Sequence, residues 1–260
     1  MATPTIWTAG LAGTGVDTAT ALPLICNAPV IWVSASGNDA NAGTDPELPL
    51  LTIAQAVTNA SANSVIAIAA GYTASISAQT VGTAGLRFVG FGTGVNRPRL
   101  TPTSGASAMF TVTAASVVFD SIYFGAAAAT SGTAGRLTCN ASGLQVLNCQ
   151  MDCGASDGRG IILTTGADNA RVENTVFTAV GLRPTQAITH GNAVTNAVYN
   201  NVTVDGSSFG WAGTAFNPAS ATNLVIKNLT LAGNSDLIAA VTSYQIFGVT
   251  TSGASRVALS

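Results

Sequence analysis

The chain has 260 residues, of which 8% are charged, against roughly 25% in an ordinary soluble domain. Its 9 Lys and Arg and 11 Asp and Glu give a net charge of −2, which excludes a basic nucleic-acid surface. A hydrophobic content of 47% excludes a disordered chain, and no run of about 18 apolar residues is present to cross a bilayer.

Residues 1–29 are rich in Gly, Thr and Ala, with Trp7, Leu22, Leu24 and Ile25 as apolar anchors. They are predicted to form an extended arm, laid along their own domain or on a neighbouring subunit. The stretch holds no Lys or Arg and so no basic region of a secretory signal, which points to synthesis in the cytosol. A second unit is predicted over 30–260. Near its start, Leu50, Ile53, Ala54 and Val57 fall at i, i+3, i+4 and i+7, which predicts a short amphipathic helix near 48–60. Just ahead of it, Asp39, Asn41 and Asp45 alternate oxygen side chains, a weak metal candidate. No distal bidentate Glu completes a calcium loop, and Asn, Asp and Gly also serve as turn formers. No metal and no cofactor is therefore expected.

Two apolar runs, 64–71 and 85–92, read as early strands, followed by Arg87, Arg97 and Arg99, a small basic patch on the surface or at a subunit contact. From there a repeat takes over. Ser121, Asn148, Asn174, Asn201 and Asn228 follow one another at steps of 26 or 27 residues. Two positions before each lie Phe119, Val146, Val172, Tyr199 and Ile226; three after lie Phe124, Met151, Phe177, Val204 and Leu231. Each repeat thus carries two short runs of period-two alternation whose phase shifts by one residue at the Asn. A bend does this when inward side chains must stay inward on both sides of it, and Asn tolerates the left-handed backbone a bend needs. Asn148, Asn174, Asn201 and Asn228 are expected to form a bend ladder of stacked amides. A shorter last rung is expected around Gly248.

This pattern predicts an all-β parallel β-helix, with one coil per repeat of about 27 residues and some eight coils. A leucine-rich repeat shares the period but needs Leu and a helical stretch that the residues after each Gly lack. Asp120 and Glu173 occupy the same outward position two rungs apart, about 9.6 Å between backbones, near the separation of the carboxylates in an inverting glycosidase. Arg171, on the same strand face as Glu173, offers an ion pair as the alternative. Cys26, Cys139, Cys149 and Cys153 form no Cys-x-x-Cys pair and are expected as buried thiols. His190, the single histidine, is expected in a loop between coils.

The segment 31–57, with V-S-x-x-G-N-D-x-N-x-G-T from Val33 to Thr44 and T-I-x-x-A-V from Thr52 to Val57, precedes an apolar strand ending in Gly71-Tyr72. It resembles the opening of right-handed, single-stranded parallel β-helix proteins of the pectate-lyase-like superfamily. The resemblance covers about residues 30–260. It implies a right-handed helix whose first coil is capped by the short helix. The superfamily includes polysaccharide lyases, hydrolases, adhesins and phage tailspike, tail-fibre and capsid-decoration proteins, so fold is implied more firmly than function.

A charge-poor surface suits a subunit covered by identical neighbours. With no acidic cluster present, the expectation is a non-enzymatic bacteriophage virion structural protein. Its specific form is a homotrimeric capsid decoration (cement) protein or a tail-fibre or tailspike component. It would be made in the host cytoplasm and partnered by itself and by a major capsid or tail protein, not by nucleic acid or membrane. The alternative is a polysaccharide-degrading or glycan-binding β-helix, a glycoside hydrolase or polysaccharide lyase, using Asp120 and Glu173.

Overall fold

The computed structural model describes residues 28–104, 107–126, 135–154, 158–181, 183–191, 193–218, 221–233, 236–239, 243–253 and 256–259. The expected arm, apart from Ala28 and Pro29, and Cys26 lie outside the described residues.

Alternating inward apolar side chains force the chain to wind, because a flat sheet of such strands would leave one face uncovered. The result is an all-β parallel β-solenoid with coils of about 27 residues. On the first face, Val30–Val33, Val65–Ile68, Arg87–Gly90, Val118–Asp120 and Gln145–Leu147 pair in succession, all parallel. The second face stacks Thr73–Ile76, Arg99–Pro102, Tyr123–Phe124 and Gln150–Cys153. Three long strands, Arg171–Ala179, Val198–Asp205 and Leu224–Ala232, run through the bend and belong to both faces. The third face is a sheet of eight strands, from Gln79–Val81 to Arg256–Leu259.

The four inward positions of each repeat are buried on every coil from Val117 to Leu231, and together they form one continuous core. Within it lies an aromatic stack: Phe119 is 4.7 Å from Phe88 with nearly parallel rings, and 5.2 Å from Phe110. At the N-terminal end the helix Ile53–Asn59 covers the core with Ile53 and Ala56. This differs from the expected face at Leu50, which lies ahead of the helix, and at Ala54, whose place in the core Ala56 takes. Leu50 bridges to Val33 before the helix begins, so Ile53 sets the phase and Ala54 faces solvent.

Asn148, Asn174, Asn201 and Asn228 sit at φ of 53°, 48°, 52° and 51°, with Ser121 at 59° and Gly248 at 65°. Asn174 donates to Asn148 at 3.1 Å and Asn201 to Asn174 at 2.9 Å, whereas Asn228 turns to Asn200 at 3.4 Å. A second ladder stands five residues upstream. Asn169, Asn196 and Asn223 have φ of 57°, 57° and 55°, and each amide donates to the one below at 3.1 Å. The two ladders bound the first face on either side.

Asn174→Ala should lower stability by about 1–2 kcal/mol, because alanine keeps the strained left-handed backbone but loses the amide that offsets it. Asn174→Gly should recover most of that loss, because glycine meets no such cost. Thermal midpoints of the two variants check the ordering.

Candidate functional site

The two outward carboxylates fall on one column of the first face: Asp120 pairs in register with Leu147, and Leu147 with Glu173. Both are already engaged. Asp120 accepts from Asn148 Nδ2 at 2.8 Å and from Ser121 Oγ at 2.9 Å. Glu173 is held by Arg171 at 2.8 Å and accepts from Asn200 Nδ2 at 3.5 Å.

Asp39, Asn41 and Asp45 spend their oxygens and nitrogens on the cap. Asp39 accepts from the backbone N–H groups of Leu51 and Thr52 and from Thr52 Oγ1. Asn41 donates to the Pro49 carbonyl, and Asp45 accepts from the Glu47 N–H. Among the described residues no group of three His, Cys, Asp or Glu is placed to hold a metal.

His190 is corrected from a loop residue to the last residue of the strand Gln186–His190, in register with the core residue Leu163. It is 5% exposed, and its Nε2 lies 2.6 Å from Tyr199 Oη inside the solenoid. Burial pushes its pKa down from 6.5 to about 4. The folded state therefore binds this proton less readily than the unfolded chain. Stability present at neutral pH should be lost as pH falls from about 6.5 towards 4, by about 3 kcal/mol. Thermal midpoints across this range, compared with those of His190→Met, isolate the contribution.

Sequence reasoning missed the most developed surface feature. In most coils only a single left-handed residue separates the first face from the second. Between Gly90 and Arg99, residues 91–98 are inserted at this corner, and they include a short 3-10 turn, Gly94–Asn96. This loop walls a groove of about 370 Å³ lined by Gly94, Val95, Arg97, Arg99, Tyr123 and Gln150. Arg99, Tyr123 and Gln150 occupy one outward column on successive rungs. The Arg99 guanidinium lies 4.4 Å over the Tyr123 ring, and the Tyr123 hydroxyl donates to Asp152 Oδ2. Partial burial, with the Asp152 carboxylate adding to it, pushes the Tyr123 phenol up to about 12.

Neither Arg97 nor Arg99 forms an ion pair among the described residues, in contrast to Arg171. Arg136, 2% exposed, donates to the carbonyls of Gly125, Asp152 and Gly154 at the end of the second face. It fixes the strand that carries Asp152. The groove thus combines two unpaired guanidinia, an aromatic ring, an amide and a phenol–carboxylate pair. Such a set suits a carboxylate-bearing ligand.

No family profile matches the chain, and no curated protein matches it in sequence. Among solved structures it is similar to a rhamnogalacturonan lyase, at 12% identity over 88% of this chain, with a TM-score of 0.48. It is also similar to the alginate lyase of Paenibacillus sp. str. FPU-7, at 13% identity over 89% of this chain and 98% of that one, with a TM-score of 0.40. The chain spans 62% of the length of the rhamnogalacturonan lyase. At these identities the likeness concerns architecture alone.

The expectation of a non-enzymatic virion protein, whether capsid decoration or tail component, is corrected at this point. The two solved structures found similar to the chain are named as polysaccharide lyases rather than virion proteins. The low charge that prompted the virion expectation has a reason within one chain. Outward residues stack on their counterparts one rung away, at about 4.8 Å, where like charges repel. Amide ladders and the pairing of Thr203 with Thr230 fill those columns.

Proposed function

We propose that the chain binds an acidic polysaccharide on the outer surface of its solenoid and cleaves it by elimination, with the groove at Arg97, Arg99 and Tyr123 as the site. The observation that carries this reading is the convergence of two guanidinia without ion pairs on a tyrosine hydrogen-bonded to a carboxylate. Arg97 and Arg99 take the carboxylate of a uronate, which makes the neighbouring C5 proton more acidic. Tyr123 accepts that proton while passing its own to Asp152. The C4–O bond then breaks, a C4=C5 double bond forms, and the departing oxygen takes the proton back through Tyr123. The names of the two similar enzymes agree with this substrate class, although likeness at this level carries no reaction with it.

The test is a titration of the full chain with rhamnogalacturonan, alginate and a neutral glucan, followed by ultraviolet absorbance of unsaturated product. Binding to an acidic polymer with rising absorbance is expected. Binding without absorbance retains the groove and removes the elimination step. Release of reducing ends without unsaturation moves the chemistry to Asp120 and Glu173. No binding to either acidic polymer overturns the reading.

A further inference from the structure

A second cleft opens further along the rod, beyond the end of the second face. It is shallow and open, about 620 Å³, and is lined by Arg183, Gly206, Ser207, Phe209, Gly233 and Gly253 among others. The loop that walls it is built. Asp205 accepts from the Ser207 N–H and hydroxyl, the Gly210 N–H donates to the Gly206 carbonyl at 2.7 Å, and the buried Trp211 anchors its end. This loop holds Phe209 outward, with 49% of the residue exposed. Arg183, on the same lining, donates to the Trp211 carbonyl at 2.7 Å and forms no ion pair among the described residues. Gly206, Gly233 and Gly253 line it as well. Gly233 and Gly253 have φ of 73° and 69°, and a β-carbon on Gly233 would come within 2.4 Å of Ser207 N. The turn demands glycine, so this part of the lining carries no side chains, while Phe209 supplies an exposed ring and Arg183 a guanidinium without an ion pair.

We propose that this cleft is a second sugar-binding subsite, in which Phe209 stacks on a pyranose ring and Arg183 takes a uronate carboxylate. The inference rests on the acidic-polysaccharide reading of the Arg97–Arg99 groove and extends it to a long polymer. Gly206 belongs to the rung of Thr203, which is reached from Tyr123 through Gln150 and Val176. Three rungs are about 14 Å, and the rung of Gly253 lies about 24 Å away. The groove borders the start of the second face and the cleft borders its end. A polysaccharide running from one to the other has to cover about 14–24 Å along the rod and also cross the second face, so only a long oligomer reaches both. An exposed aromatic ring and a guanidinium on one lining suit a sugar ring better than a peptide, which would seek the backbone groups of an open strand edge.

Calorimetric titration with oligouronates of increasing length tests this. For the wild type, affinity should rise steeply between the disaccharide and the octasaccharide. Phe209→Ala should leave disaccharide binding unchanged, weaken octasaccharide binding roughly tenfold and flatten the dependence on length. Phe209→Trp, which retains a ring, should preserve it, and Arg183→Ala should behave like Phe209→Ala. If Phe209→Ala matches the wild type at every length while Arg99→Ala loses binding, the second subsite is wrong and the groove stands. If the wild type binds no oligouronate of any length, both fall.

Discussion

Replacing Arg97 and Arg99 together by alanine should weaken binding of an acidic polysaccharide by about a hundredfold. A hydrogen bond to a charged group contributes about 1.5–3 kcal/mol, so each guanidinium accounts for about tenfold or more. The fold should hardly notice the change. Neither side chain is in an ion pair, and Arg97 Nε has no hydrogen-bond partner to lose. Arg99 gives up only its contact with the Tyr123 ring, about 0.5–1 kcal/mol at an exposed site. The double variant should therefore unfold within a few degrees of the wild type, by the usual relation of free energy to midpoint. Lysine at both positions should restore part of the affinity, because the charge returns without the bidentate fork. Wild-type binding should also weaken as salt rises, since these charges lie at the surface.

The largest effect on stability is expected from Phe119→Ala. Phe119 is fully buried and touches three rings: Phe88 at 4.7 Å, Phe110 at 5.2 Å and Phe124 at 5.9 Å. These neighbours come from different faces and coils, so they cannot close over the void together. A phenylalanine-to-alanine change in such a core costs about 3–5 kcal/mol. For a chain of this size that is a fall on the order of 10 °C in the thermal midpoint. In a solenoid each coil relies on its neighbours, so the loss should be felt on both sides of the substituted coil. Phe119→Leu should recover much of the loss by refilling the space. Equal midpoints for Phe119→Ala and the wild type would mean that the stack is not what holds these coils together.

The coils were legible because inward positions recur at fixed offsets from one Asn column, from Val117 and Phe119 through to Leu229 and Leu231. The column of Asp120 and Glu173 was legible for the same reason. Their hydrogen-bond partners were harder to read, because Asn148 and Asn200 belong to other coils and reach them only once the rungs are stacked. The second amide ladder at Asn169, Asn196 and Asn223 recurs at the same step, and its signal was present five residues upstream of the column used for alignment. The groove was hidden for a different reason. Residues 91–98 interrupt the repeat, so nothing in the spacing places Arg99 beside Tyr123. His190 was misplaced because the connections to the third face vary in length, which erases the register that would mark it as inward. The charge-poor exterior was read as an intersubunit surface; stacking between rungs of one chain disfavours charge as well.

The most direct test of the groove is a crystal structure of the chain soaked with a short oligouronate. The carboxylate of one uronate should lie between Arg97 and Arg99, with its C5 facing the Tyr123 hydroxyl. An oligosaccharide seated instead over Asp120 and Glu173 on the first face would contradict the account and return the chemistry to those two carboxylates.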